Sequence, residues 1–186
     1  MSGHLYIIRH GRTDWNDRHI LQGKNDIPLN ESGIKMAEEA AERYKDIHFD
    51  ICFSSPLQRA RKTAEILMEG RNIPIFYDDR LGEMNFGIYE GVHNSFEQPD
   101  CYVKVFFTEP EKYLEPPEGG ESILDLMART GEFLEDKVRP LLEEGKDILI
   151  VGHGAMNSAI KCHVRKLELK DFWVDGIENC KLMQLA

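Results

Sequence analysis

Two predicted strands end in a histidine followed by a glycine, and this repeated feature constrains the fold of the chain most. Residues 5–8 form a short apolar run that leads into Arg9 and His10, and the run at 147–154 ends in His153 and a glycine. Short runs rich in β-branched residues are typical of inner strands. Because ligands of open α/β sheets bind beyond the carboxyl ends of strands, both histidines are predicted to lie at a binding site.

Strands and helices alternate along the rest of the sequence. Pro74 indicates that one of these strands lies at a sheet edge. The order βαβαβ, then an irregular cap, then αβαβ predicts a layered α/β sheet. Further strands are predicted at residues 49–53, 73–77 and 179–185, and helices from residue 30, after residue 56, from 122 to about 143 and at 155–164.

Residues 14–29 are predicted to form a long polar loop after the first strand. Long loops often bind ligands. The groups of this loop that could meet an anion include Asn16, Gln22 and Gly23. A solvated surface loop is the alternative for each of them alone.

The region between the third strand and the last long helix is irregular. Residues 79–91 hold three glycines and predict a constrained loop whose candidate acids are Glu83 and Glu90, with exposed surface glutamates as the alternative. Residues 93–120 combine prolines, glycines and an aromatic patch, and they predict a cap of short helices. Ser122 then begins a capping-box pattern, which predicts a helix start.

The helix after the second strand carries cations at its start. A serine pair favours a helix cap, and the proline that follows it suits the first turn. The first turns contain Arg59, Arg61 and Lys62, although cations near a helix amino terminus oppose the helix dipole. Their placement favours anion binding, with solvated surface arginines as the alternative.

The composition narrows the class of partner. A formal net charge of −10 argues against a broad nucleic-acid or membrane surface, so an anion site must be a local basic pocket. No apolar run approaches the roughly 20 residues of a membrane helix, and no secretory signal is recognised, which predicts a cytoplasmic protein. The four cysteines lack metal or redox spacing and are predicted to be reduced thiols.

Four side chains converge on one pocket if the predicted strands are neighbours: Arg9, His10, Arg59 and His153. Arginines present forked donors that match tetrahedral oxyanions. One neutral imidazole can act as a nucleophile, while the second donates a hydrogen bond to developing charge. A carboxylate such as Glu83 can protonate a leaving alkoxide. This set suffices for phosphoryl transfer through a phosphohistidine.

A metal centre is the competing interpretation of His10, His153 and Glu83, since two histidines and a carboxylate can hold zinc or iron. Arg9 is adjacent to His10, and Arg59 would lie close by, so their charges would repel a divalent ion. No glycine-rich nucleotide loop is present. The sequence therefore predicts neither a metal nor a cofactor.

These residues resemble the signature of the histidine phosphatase superfamily, in its phosphoglycerate-mutase-like branch. Five blocks carry the resemblance in order along the chain: residues 9–16, 21–23, 54–60, 81–87 and 151–154. The resemblance implies a three-layer α/β fold whose mostly parallel central sheet is flanked by helices. It also implies a single domain over residues 1–186 with a cap-like insertion at 84–121.

The resemblance also implies roles for individual residues. It implies a metal-independent enzyme with His10 as the phosphorylated nucleophile and Glu83 as the proton donor. Arg9, Arg59 and His153 would then grip the transferred phosphoryl group. The further phosphate- or substrate-binding residues that it implies are Thr13, Asn16, Gln22, Gly23 and Ser122.

The composition of the cap distinguishes between two candidate activities that share the phosphohistidine step. A phosphoglycerate mutase must hold a second anionic group, whereas the basic side chains of residues 89–122, histidine aside, are Lys104 and Lys112. The sequence therefore favours a phosphatase that acts on a small-molecule phosphate ester with an uncharged or apolar leaving group. The run at 116–122 resembles α-ribazole phosphatases. A mutase and a catalytically silent phosphate-binding protein are the alternatives, and a homodimer is compatible with either.

Overall fold

The central strand of the sheet is the apolar run that precedes His153, and all of its residues are buried. The computed structural model describes residues 3–93, 98 and 100–186. The strands are β1 (Leu5–Arg9), β2 (Ile51–Ser54), β3 (Ile75–Tyr77), β4 (Ile148–Gly152) and β5 (Leu182–Gln184). Their order in the sheet is β3-β2-β4-β1-β5. The four strands β1, β2, β3 and β4 are parallel and β5 pairs antiparallel with β1, which confirms the predicted mostly parallel sheet.

Helices cover both faces of this sheet. Neighbouring strand residues face opposite layers, because side chains alternate along a strand. Ile7 and Ile150 join a cluster with the aromatic cap residues, while Ile8 and Val151 join a second cluster built on small residues. The helices are α1 (Asp14–Asp17), α2 (Glu31–Arg43), α3 (Gln58–Met68), α4 (Val103–Thr108), α5 (Ile123–Phe133), α6 (Arg139–Glu143) and α7 (Gly154–Arg165).

The strand register brings the two histidine turns together. Arg9 of β1 pairs with Gly152 of β4, so that His10 and His153 follow at the same edge. Ser54, the last residue of β2, pairs with Val151 on the other side of β4. The start of α3 therefore reaches the same edge, as the sequence predicted. The strand that contains Pro74 was predicted to be an outermost strand, and this is confirmed because β3 is the first strand in the sheet order.

Two helix starts differ from the sequence expectation. Residues 14–17 form α1 because Thr13 makes a capping box inside the segment predicted as a loop. The predicted serine cap of α3 is wrong, since Leu57 occupies the cap position without a side-chain bond. The Gln58 N–H donates instead to Asp26 Oδ1 at 2.7 Å. A distant loop thus supplies the acceptor that the local sequence lacks.

The long helix predicted from residue 122 is confirmed at its start and interrupted near its middle. Ser122 and Asp125 form the expected capping box before α5. A π turn, Leu134–Val138, then separates α5 from α6 just before Pro140. Because proline has no N–H and its ring crowds the preceding turn, a wider turn accommodates it.

The irregular segment contains α4 and short 3₁₀ turns, which agrees with the predicted short helices. Its residues 94–97 and 99 lie outside the described residues. Phe106 is fully buried and contacts the rings of Phe86 and Phe172. Part of the aromatic patch therefore belongs to the core.

Two expectations concern the whole chain: the state of its cysteines and the absence of a membrane-spanning helix. All four cysteines are buried and free, as predicted for reduced thiols. Within the described ranges, no helix combines the length and apolar character needed to cross a bilayer.

Candidate active site

A cleft of about 270 Å³ opens at the carboxyl edge of the sheet. Its polar lining contains seven of the residues predicted from the sequence: Arg9, His10, Asn16, Gln22, Gly23, Arg59 and Glu83. Its apolar lining is formed largely by Trp15, Ile20, Leu21, Phe86, Phe107 and Trp173. The cleft therefore combines cationic side chains and an imidazole with a largely aromatic and aliphatic lining.

The imidazole of His10 is held in one tautomer. Its Nδ1 lies 2.6 Å from the carbonyl oxygen of Gly11, which can only accept, so Nδ1 carries the proton. The backbone of His10 is fixed on both sides, since its N–H donates to the Gly152 carbonyl at 2.9 Å and its carbonyl accepts from Asn179 Nδ2 at 2.7 Å. The Nε2 lone pair is therefore left free as a nucleophile.

The surroundings of His10 keep it neutral. Burial, helped by the charges of Arg59 and Arg9, holds the pKa of His10 well below its usual value of 6.5. An unprotonated imidazole is the form that can attack phosphorus. The two cations therefore help to keep His10 in the form that can act as a nucleophile.

His153 lies beside His10 but outside the cleft lining. Their ring centroids are 5.1 Å apart. Ser55 Oγ lies 2.8 Å from His153 Nε2 and also accepts from the Leu57 N–H. The other ring nitrogen of His153, Nδ1, is buried and has no partner among the described residues. Burial and the charge of Arg59 hold the pKa of His153 well below 6.5.

Arg59 is a fully buried cation in the first turn of α3. Its Nη atoms donate to the carbonyls of Asn25 at 2.7 Å and Gly23 at 2.8 Å, while Nε has no partner among the described residues. Burial lowers the pKa of Arg59 to about 10, which leaves it charged at neutral pH. Gly23 has a φ of +49°, and a Cβ there would overlap Glu90, so only glycine fits this turn.

Glu83 reaches the amino terminus of α7. Its carboxylate accepts from the N–H of Met156 at 3.1 Å and of Ala155 at 3.3 Å, in addition to its neighbour Met84 at 2.9 Å. His153, the residue before α7, makes no side-chain cap. Glu83 therefore replaces the missing cap and is held at the cleft.

The carboxylate of Glu90 has a different set of hydrogen-bond partners from that of Glu83. It accepts from the backbone N–H of Lys24 at 3.0 Å and of Phe86 at 2.9 Å, and from Asn25 Nδ2 at 2.8 Å. It ties two loops together and does not line the cleft. The geometry therefore separates the two candidate acids, which the residue pattern alone left open.

Thr13 lies behind the cleft and orients two amides. Its N–H donates to Asn16 Oδ1 at 3.1 Å, and its hydroxyl donates to Gln22 Oε1 at 2.8 Å. With their oxygens occupied, Asn16 and Gln22 can offer N–H groups to an anion. Ser122 does not line the cleft, since its hydroxyl is used in the capping box of α5 with Asp125. Its placement gives no support to direct phosphate binding.

Two residues that orient the histidines were not predicted as site residues. Ser55 holds the ring of His153 by a hydrogen bond, and Asn179 holds the backbone of His10. The serine pair at the end of β2 was a usable signal, since that strand ends at the same edge. Asn179 carries no local signal, because it is 169 residues from its partner.

The donor geometry does not favour the metal interpretation. Among the described residues, the side chains whose ligand atoms come close enough to share an ion are His48, Asp50 and Asp147. They precede β2 and β4, at the opposite edge from His10. Asp50 also lies 3.6 Å from Lys146 Nζ, which competes with a cation.

The buried histidines predict a pH-dependent stability. A histidine whose folded pKa is lowered binds more protons when unfolded, so the free energy of unfolding falls as the pH drops below about 6.5. We expect each of His10 and His153 to cost up to about 1.4 kcal/mol per pH unit in that range. Urea unfolding of the parent and of His10→Asn at pH 7.5 and 5.5 would measure this. Equal pH dependence in the two proteins would contradict it.

The fold and the cleft together define an α/β protein in which a neutral histidine is flanked by arginines, a set of groups suited to phosphoryl transfer. The profile of the Histidine phosphatase superfamily (branch 1) matches residues 5–186. The chain belongs to this family, and its membership confirms the expectation of a metal-independent enzyme of the histidine phosphatase type.

Similar proteins include both mutases and phosphatases. A 2,3-bisphosphoglycerate-dependent phosphoglycerate mutase of Cytophaga hutchinsonii is 32% identical over 169 residues, covering 90% of this chain and 79% of that protein. A putative phosphoserine phosphatase 2 of Hydrogenobacter thermophilus is 31% identical over 184 residues, covering 97% and 88% respectively.

Solved structures share the fold over nearly the whole chain. Bacillus stearothermophilus YhfR superposes with a TM-score of 0.87 at 31% identity, covering 98% of this chain and 90% of that one. The α-ribazole phosphatase of Shigella flexneri has a TM-score of 0.83 at 24% identity, covering 97% and 89% respectively. The second similarity shows the common fold alone.

Proposed function

We propose that this protein hydrolyses a small-molecule phosphate monoester through a phosphohistidine at His10. The observation that carries the proposal is the free Nε2 of a neutral His10, set in a cleft that Arg9 and Arg59 also line. Two guanidinium groups match the oxygens of a phosphoryl group. Glu83 lines the same cleft, where a leaving oxygen would lie.

The reaction has two steps. His10 Nε2 attacks phosphorus, the bond between phosphorus and the ester oxygen breaks, and Glu83 in its protonated form gives that oxygen a proton. Glu83, now a carboxylate, then takes a proton from water as the water oxygen attacks phosphorus. The bond between nitrogen and phosphorus breaks, and inorganic phosphate leaves. Arg9, Arg59 and His153 offset the charge on the phosphoryl oxygens in both steps.

The cleft walls favour a phosphatase over a mutase. Six apolar side chains surround the opening, and Trp173 stacks on Phe107 with their ring centroids 5.3 Å apart. Neither cap lysine lines the cleft, because Lys104 donates to the Gln98 carbonyl and Lys112 pairs with Glu109. A leaving group with a second negative charge would meet little compensation there. An uncharged, apolar alcohol fits these walls.

Phosphate release from a panel of esters tests the proposal. We expect turnover of aryl and alkyl phosphates in excess chelator, at kcat/KM values about 10-fold or more above those of phosphoglycerates, since apolar contacts discriminate by that order. Interconversion of phosphoglycerates without net phosphate release would favour the mutase instead. Binding of phosphate esters without turnover would favour a silent binding protein.

Five further expectations accompany the proposal. A cytoplasmic location, the lack of a nucleic-acid partner and a homodimer stay predictions. The cap-like insertion at 84–121 and the single domain over 1–186 also stay predictions.

A further inference from the structure

Arg129 uses all of its hydrogen-bond donors on one loop and its anchor. A guanidinium group has five N–H groups, and each finds an acceptor here. Nη1 donates to the carbonyls of Arg80 at 2.6 Å and Gly82 at 2.8 Å, and Nη2 donates to the carbonyl of Glu83 at 3.2 Å. The other two donors reach Glu121, with Nε at 2.6 Å and Nη2 at 3.1 Å from its oxygens.

Glu121 extends this network to the far side of the same loop. Its Oε2 accepts from the backbone N–H of Asn85 at 2.9 Å. The pair of Arg129 and Glu121 is largely buried, with 17% and 15% of the side chains exposed. Arg129 itself lies on α5, an element fixed by the core. The ion pair therefore clamps the loop backbone before and after Glu83.

The side chain of Glu83 is bound by α7 and not by this clamp. Its oxygens accept from Ala155 and Met156 at the start of that helix. The backbone is thus held by one element and the carboxylate by another. Proton transfer to a leaving oxygen depends on placement within hydrogen-bond reach, and small displacements are costly.

We infer that Arg129, paired with Glu121, is the positioning residue that sets Glu83 at the leaving oxygen. This inference rests on the proposed function, since it concerns the same proton-transfer step. Lysine keeps the charge of Arg129 but has three donors at a single point, so it cannot bind three carbonyls and a carboxylate together. A charge-preserving substitution therefore tests geometry rather than the field at the cleft.

Leaving-group dependence distinguishes positioning from general stabilisation. A p-nitrophenolate leaves with little need of a proton, whereas an alkoxide needs one. We expect Arg129→Lys to lower kcat/KM by about 30-fold or more for alkyl phosphates and by less than about 3-fold for p-nitrophenyl phosphate, a fraction of what general acid catalysis supplies. The ratio kcat/KM reports the first transfer step, in which the leaving group departs.

The matched control is Arg71→Lys. Arg71 also holds two backbone carbonyls, those of Ile47 at 2.9 Å and Tyr44 at 2.8 Å, and it does not line the cleft. We expect its variant to treat both kinds of ester as the parent does. Glu83→Gln is the reference for loss of the acid. If Arg129 acts through Glu83, the double variant that combines Glu83→Gln with Arg129→Lys should have a kcat/KM no more than about 3-fold below that of Glu83→Gln alone.

A second variant, Glu121→Gln, covers the case in which Arg129→Lys does not fold. It keeps the shape of the anchor and removes its charge, and we expect the same selective loss on a smaller scale. An equal loss on alkyl and p-nitrophenyl esters, or no loss in a folded variant, would overturn the inference. A parent that releases phosphate from no ester would instead refute the proposed function, and the inference with it.

Discussion

Replacing His10 with alanine should abolish turnover, lowering kcat by about 10⁴-fold or more, as loss of a covalent nucleophile typically does. The reason is structural as well as chemical, because Gly11 and Asn179 position this ring and its backbone for attack through Nε2. His19 also lines the cleft, but it is exposed, whereas His10 is buried. The measurement is phosphate release in excess chelator, with parent and variant assayed together.

The covalent intermediate gives a more direct measure of the same prediction. A labelled ester should leave an acid-labile, alkali-stable phosphoryl group on the parent and none on His10→Ala, since a bond between nitrogen and phosphorus is hydrolysed by acid. His48→Ala is the matched control, because that ring is exposed, with 72% of its side chain accessible, and lies at the opposite edge of the sheet. Turnover by a folded His10→Ala protein would reject the nucleophile.

Substituting Arg59 by lysine should lower kcat/KM by about 10²- to 10³-fold, the loss expected when preorganised donors to a developing oxyanion are removed. Arg59 is fully buried and holds the carbonyls of Gly23 and Asn25. A lysine ammonium cannot hold both carbonyls in this geometry and also face a phosphoryl group. The affinity for inorganic phosphate, measured as competitive inhibition, should fall as well.

Arg61→Lys is the control for this substitution. Arg61 lies two residues further along α3, is 58% exposed and pairs with Glu65 away from the cleft. We expect its kcat/KM to match that of the parent. If Arg59→Lys folds and keeps both its kcat/KM and its phosphate affinity, the role of the buried guanidinium in binding the phosphoryl group is wrong.

The order of strands and helices could be predicted because it depends on short-range patterns. The apolar runs at β1 and β4 are long enough to identify strands, and the helical spacing of apolar residues locates α2 and α3. Predictions of helix starts were less accurate. The cap of α3 comes from Asp26, and Thr13 builds a helix inside a predicted loop. Local propensity does not reveal an acceptor 32 residues away.

The sequence by itself determined which histidines and arginines meet at the candidate site. Histidines after two strands and an arginine after a third meet once those strands lie side by side, and parallel pairing brings their carboxyl ends to one edge. The motif blocks determined the family for the same reason, since each block is continuous in sequence and is recognised without knowledge of its contacts.

Only the tertiary structure decided which partners hold and orient these side chains. It separated Glu83, at the start of α7, from Glu90, which ties two loops together. It assigned the tautomer of His10, placed Ser55 against the ring of His153, and showed that Arg129 of α5 holds the backbone before Glu83. These are hydrogen bonds between segments far apart in the chain. Their partners depend on how sheet, helices and loops pack together, which no local pattern encodes.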